Sequence, residues 1–114
     1  MSFVNRKGRT LAHKKMVTRQ QISDVLSYGY ITTTKSYGKN TQRFLERLIT
    51  LSKEDTLEHK REAASILLPT TKYKKDELLK KLFTEIATTY KNRNGGYSRL
   101  LKLREENRVI LSLV

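Results

Sequence analysis

Residues 39–53 read KNTQRFLERLITLSK, and their apolar side chains fall at Phe44, Leu45, Leu48, Ile49 and Leu51. Recurrence at three and four residues places them on one stripe of an α-helix, the pattern of a helix that turns one side to a core. This element sets the frame for what lies on either side of it. Just upstream, Tyr30 to Thr34 is aromatic and β-branched and follows Gly29, which predicts a short strand. Before that, a helix capped by Thr10 is predicted to run to about Tyr28, with Ile22, Val25 and Leu26 as its apolar face and Gly29 as its stop. Its early turns are basic and its late turns apolar, so its start should point at a partner while its end packs.

Downstream, Glu54, Asp55 and Thr56 separate the frame helix from a third helix, whose apolar positions Ala63, Ala64, Ile66 and Leu67 end ahead of Pro69. Residues Pro69 to Lys75 read as a linking loop. A fourth helix, from about Asp76 to Tyr90, gathers Leu78, Leu79, Leu82, Phe83, Ile86 and Ala87 on one side. After a break at Asn92 to Gly96, Tyr97 to Leu103 and Arg108 to Val114 read as an antiparallel hairpin joined by Arg104 to Asn107. The order helix, strand, three helices, two strands predicts a two-layer α+β fold with a small mixed sheet covered by helices. Residues 1–9 contain Asn5 and Gly8 and no apolar periodicity, so they read as a basic N-terminal arm, leaving 10–114 as a single domain.

Charge points to the partner. The 24 Lys and Arg exceed the 11 Asp and Glu by 13, and the first carboxylate is Asp24. Ahead of it stand Arg6, Lys7, Arg9, Lys14, Lys15 and Arg19, together with His13. A one-signed run repels itself unless dense negative charge meets it, and phosphate is the obvious source. From Lys39 to Glu62, by contrast, six basic residues face five acidic ones. Nucleic acid is the expected partner, bound without sequence readout. A DNA-binding nucleoid or regulatory protein is the alternative, but no helix-turn-helix pair with a short glycine turn is evident, and a basic arm suits insertion among RNA helices better.

Other classes find little support. The chain has no cysteine, which excludes disulfides and thiolate metal sites and suits the cytoplasm. No apolar run reaches the roughly 20 residues of a membrane helix, and the basic start lacks the apolar core of a secretory signal. His13 and His59 do not make a structural zinc site by themselves. The acidic pairs Glu54-Asp55, Asp76-Glu77 and Glu105-Glu106 sit at element boundaries, where helix dipoles and solvation favour them. No nucleophile set or phosphate-binding glycine loop appears, so no enzyme, cofactor, metal or small-molecule substrate is expected.

Two further segments combine structural and binding readings. Asn94-Gly95-Gly96-Tyr97 explains itself as a helix-to-strand turn, yet Lys91, Arg93 and Arg99 flank it with cationic donors; Tyr97 reads equally as core or as a stacking residue. Thr33 and Thr34 fit a strand, while their hydroxyls beside Lys35 also suit phosphate.

These segments resemble the bacterial-type large-subunit ribosomal protein seventeen family. The match is carried by His13-Lys14-Lys15 with Arg19, by Thr33-Thr34 followed by Lys39 and Glu46 through Lys53, and by Lys81-Leu82-Phe83 leading to Gly95-Gly96-Tyr97-Ser98-Arg99 and Leu103. The resemblance implies the same element order. It also implies a non-enzymatic constituent of the large ribosomal subunit that binds 23S-class rRNA near the polypeptide exit tunnel, beside neighbouring large-subunit proteins. The family's Arg-Asn pair is Arg19-Gln20 here, a basic position before the second helix is Tyr37, and the glycine-containing last connection is cut down to Arg104-Glu105-Glu106-Asn107.

Overall fold

The structure, a computed structural model, describes residues 11–114. The arm of residues 1–9 and the Thr10 cap therefore lie outside the described residues. Within them the order is α1 (Leu11–Tyr28), β1 (Tyr30–Thr34), α2 (Lys35–Ser52), α3 (Leu57–Ile66), α4 (Lys75–Lys81, continuing through Leu82–Ile86 to Ala87–Thr89), β2 (Ser98–Lys102) and β3 (Arg108–Leu113).

Each element ends for a local reason. Gly29 has φ +90° and donates its N–H to the Val25 carbonyl at 2.7 Å, closing α1 in the left-handed backbone that a side chain resists. Thr56 caps α3 by accepting the His59 N–H at 3.1 Å, and Glu77 reaches back to the Lys74 N–H at 2.9 Å at the start of α4.

In α4 the buried residues Leu78, Leu82, Ile86 and Tyr90 repeat every fourth position. At 3.6 residues per turn that spacing drifts about 40° per step away from the core. The helix corrects the drift by widening to π geometry over Leu82–Ile86.

The three strands form one sheet in the order β1-β3-β2, antiparallel throughout rather than mixed. The reason is positional: β3 runs back along β2 through a short hairpin and then lies between its two neighbours, with Tyr30 opposite Ser112 and Ser98 opposite Leu113. Asn107, at φ 62°, takes the tight position of that hairpin. Val109 and Leu111 alternate into the core, and the helices cover that face alone. α2 begins four residues before the predicted Lys39, because Lys35 donates its N–H to the Asn107 carbonyl at 3.1 Å and Gly38 lets the helix lie directly on the sheet. A Cβ at Gly38 would stand 2.8 Å from Val109 Cγ2.

The core joins Ile22, Val25 and Leu26 of α1 to Leu45, Leu48 and Ile49 of α2, with Leu67, Leu78, Leu82 and Leu111 closing it. Burying such side chains contributes roughly 1.5–3 kcal/mol each, which is what holds the two layers together.

Candidate nucleic-acid interface

The buried residues of α1 start at Thr18 and run to Ser27. Its first two turns therefore stand clear of the core, with His13, Lys14 and Lys15 exposed. Just beyond them, a relay of hydrogen bonds ties α1 to α2. Thr18 Oγ1 donates to the Lys14 carbonyl at 3.0 Å, Asn40 Nδ2 donates to Thr18 Oγ1 at 3.1 Å, and Arg43 donates to Asn40 Oδ1 at 3.2 Å. Deeper in the same seam, Thr41 donates to Gln21 Oε1 at 2.6 Å and Gln21 donates to Thr33 Oγ1 at 2.9 Å.

This seam brings the cations of α1 beside a stripe on α2. Lys35, Lys39, Arg43 and Arg47 are all exposed and recur every fourth residue, so they share one side of the helix. Between them Phe44, 39% exposed, lies 5.5 Å from the Arg47 guanidinium and 6.0 Å from that of Arg43, measured to its ring centroid. Among the described residues, no Lys or Arg of α1 or α2 is joined to a carboxylate by an ion pair; the pair Lys60–Asp55, at 3.1 Å, is at α3. The face can meet polyanion without first breaking internal pairs. The sequence points to Lys39 but not to Arg43 and Arg47, although the spacing of four runs on from Lys35, and Phe44, expected on the core-facing stripe, is instead exposed among them.

Other expected contacts are placed differently. Arg19 donates from Nε to the Ile66 carbonyl at 2.9 Å and from Nη1 toward Met16 Sδ at 3.5 Å, so part of its guanidinium closes the end of α3. Thr33 is buried on the helix-facing side of the sheet, and the Thr34 hydroxyl is buried without a partner. Neither hydroxyl lies on the open surface that holds Lys39.

Tyr97 is core, 1% exposed, with its ring edge-on to Tyr90 at 5.2 Å; burial removes it as a stacking platform. Burial pushes its phenol up, but the Lys53 ammonium, 4.7 Å from its ring, and the Thr50 hydroxyl outweigh that and hold it below the ordinary tyrosine value. Burial raises Tyr90 instead.

Lys91 and Arg93 are exposed on the turn after α4, where Arg93 braces the loop by donating to the Gly96 carbonyl at 3.3 Å. Arg99 is exposed on β2, on the side of the sheet away from the helices. His59 is half-buried with Nδ1 at 2.9 Å from the Glu54 carbonyl. Among the described residues no cluster of three or more His, Asp or Glu could hold a metal, and no helix is long and apolar enough to cross a membrane.

A helical layer on a three-stranded sheet, with exposed cations along α1 and α2, defines a small basic α+β protein. The model of the family described as Ribosomal protein L17 matches residues 17–112, and the chain belongs to that family. It is 52% identical over 103 residues to the Large ribosomal subunit protein bL17 of Ureaplasma parvum serovar 3, covering 90% of this chain and 87% of that one. Proteins of the same name from Mycoplasma genitalium and Treponema denticola are 47% and 40% identical, over 90% and 84% of this chain and 84% and 50% of theirs.

Proposed function

We propose that the chain is a structural, non-catalytic constituent of the large ribosomal subunit in the cytoplasm, and that it binds 23S-class rRNA near the polypeptide exit tunnel beside neighbouring large-subunit proteins. Family membership supports the subunit. The resemblance in the sequence supports the place near the tunnel. The observation that carries the binding mode is the cationic seam: α1, with Lys14 and Lys15 exposed on its first turns, is joined through Thr18 and Asn40 to Arg43 in the Lys39–Arg43–Arg47 stripe of α2.

Phosphate is the ligand such a seam selects. Arg offers a planar fork of donors to phosphate, and Lys a mobile point charge, so Arg43 and Arg47 fix position while Lys14, Lys15 and Lys39 add attraction. Arg6, Lys7 and Arg9 extend the same positive charge along the chain and add phosphate contacts. Lys91 and Arg93 beside the Gly95-Gly96 turn, and Arg99 on the open side of the sheet, add further phosphate contacts.

Sedimentation of tagged protein through a sucrose gradient tests the reading. Co-migration with the large subunit that is lost in high salt is the expected result. A slow free peak, or recovery with chromosomal DNA in place of ribosomes, refutes it.

A further inference from the structure

The sheet has a second face that no helix among the described residues covers. The register fixes which residues occupy it: Tyr30, Ser112 and Arg99 lie side by side across the three strands, and Thr32, Ile110 and Leu101 form the next row. Gly38 of α2 packs on Val109, Leu100 and Thr33, which settles that the alternate residues point the other way. Tyr30 is 58% exposed and Leu101 46% exposed, large apolar side chains in a protein whose core has room for Tyr90 and Tyr97. Arg99 and Arg108 border them, and no outward position of the three strands carries a carboxylate.

We infer that this open face binds a single-stranded segment of RNA, with a base stacked on Tyr30 and phosphates held by Arg99 and Arg108. The charge chooses the occupant. An apolar protein segment would gain from Leu101 and Ile110 but would have to bury two guanidiniums without partners, which is costly. RNA supplies an anion for each guanidinium and a π-face for the tyrosine, and a flat sheet with an exposed aromatic is a recurring platform for unstacked bases. The face lies opposite the helical layer that carries the Lys39–Arg43–Arg47 stripe, so the domain would stand between two RNA segments. This inference rests on the RNA-binding reading above but concerns a different surface and a different RNA form.

The test uses the full-length protein with two labelled probes, a single-stranded oligoadenylate of about 12 nucleotides, within the usual single-strand site sizes, and an RNA duplex of about the same length. Tyr30→Ala should weaken oligoadenylate binding roughly 5- to 100-fold, the range for losing one stacked base, and leave duplex binding within about twofold. Unchanged circular dichroism and melting would show that the variant folds. Oligoadenylate binding equal to that of the unaltered protein, or an equal loss on both probes, overturns the inference. If the unaltered protein binds neither probe, the charge-based reading itself has failed. A photoreactive benzophenone amino acid at position 30 in purified large subunits then identifies the neighbour: cross-links to rRNA support the inference, and cross-links to a protein contradict it.

Discussion

Glu46 grips Ser98 through two hydrogen bonds, accepting its N–H at 2.8 Å and its hydroxyl at 2.7 Å on Oε2, while Oε1 accepts the Tyr97 N–H at 3.2 Å. One carboxylate on α2 thereby anchors the first residues of β2, 52 positions away in the chain, and sets the register that sends Arg99 outward and Ser98 inward. Charge-assisted bonds to half-buried donors are the costly kind to lose. Glu46→Ala should destabilise the domain by roughly 2–3 kcal/mol in urea unfolding. A change under about 0.5 kcal/mol would mean that β2 is held by its strand pairing alone.

Thr34 precedes α2 in extended backbone, where a threonine ordinarily caps, yet its side chain makes no cap bond and its hydroxyl is buried without a partner. An unmade bond in a dry place disfavours folding, and valine has the same shape without the hydroxyl. Thr34→Val should therefore raise stability by about 0.5–1 kcal/mol, the reverse of the usual loss on removing a threonine cap. Differential scanning calorimetry reads the sign directly, and a lower melting temperature would show that the hydroxyl has a role in the fold.

The α2 stripe should act through charge. Replacing Arg43 and Arg47 by Gln removes two phosphate contacts, so the log–log salt slope for duplex RNA binding should become shallower by about 1.8. Stability should change by less than about 1 kcal/mol, since both side chains are exposed. An unchanged slope would take the stripe out of the interface.

The two edge-on phenols of Tyr90 and Tyr97 should titrate in a fixed order. Tyr97 lies below the ordinary 10.0 because Lys53 and Thr50 favour its anion despite burial; Tyr90 lies above it because burial disfavours the charge. Tyr97 thus adds stability as pH rises through its lowered folded value, an increment complete above 10.0, and Tyr90's contribution is present below 10.0 and fades as pH climbs through its raised folded value. In absorbance titrations of the phenolate band, Tyr97→Phe should remove amplitude on the acid side of Tyr90→Phe. The opposite order would contradict the Lys53 contact.

How far the chain could be read in advance follows from which forces are local. The Leu45–Leu48–Ile49 stripe, the Gly29 stop and the Thr56 boundary depend on neighbours in sequence, and all three stand as expected. The first turn of α2 escaped because Tyr37 and Gly38 look like a break until the sheet arrives to need a glycine there. The hydroxyl of Thr33 suits phosphate as well as a strand, and in YITTT the pattern cannot fix which threonine turns inward; pairing with Val109 does so. The antiparallel sense of β1 was hidden for the same reason, since three intervening helices allow a strand to return in either direction. The π segment of α4 answers a drift against the core that only the packed helix feels. Of the site, the basic character of α1 was plain, whereas the joining of α1 to Arg43 of α2 depends on Thr18 and Asn40 meeting across 22 residues.

The central claim is that phosphate neutralisation by these cations drives binding. Its most direct test is the affinity of the full-length protein for fragments of 23S-class rRNA as a function of potassium chloride concentration. With on the order of 8 phosphates neutralised, the log–log slope should be near −7 on duplex regions and shallower on single strands. Affinity that barely changes with salt would contradict the account.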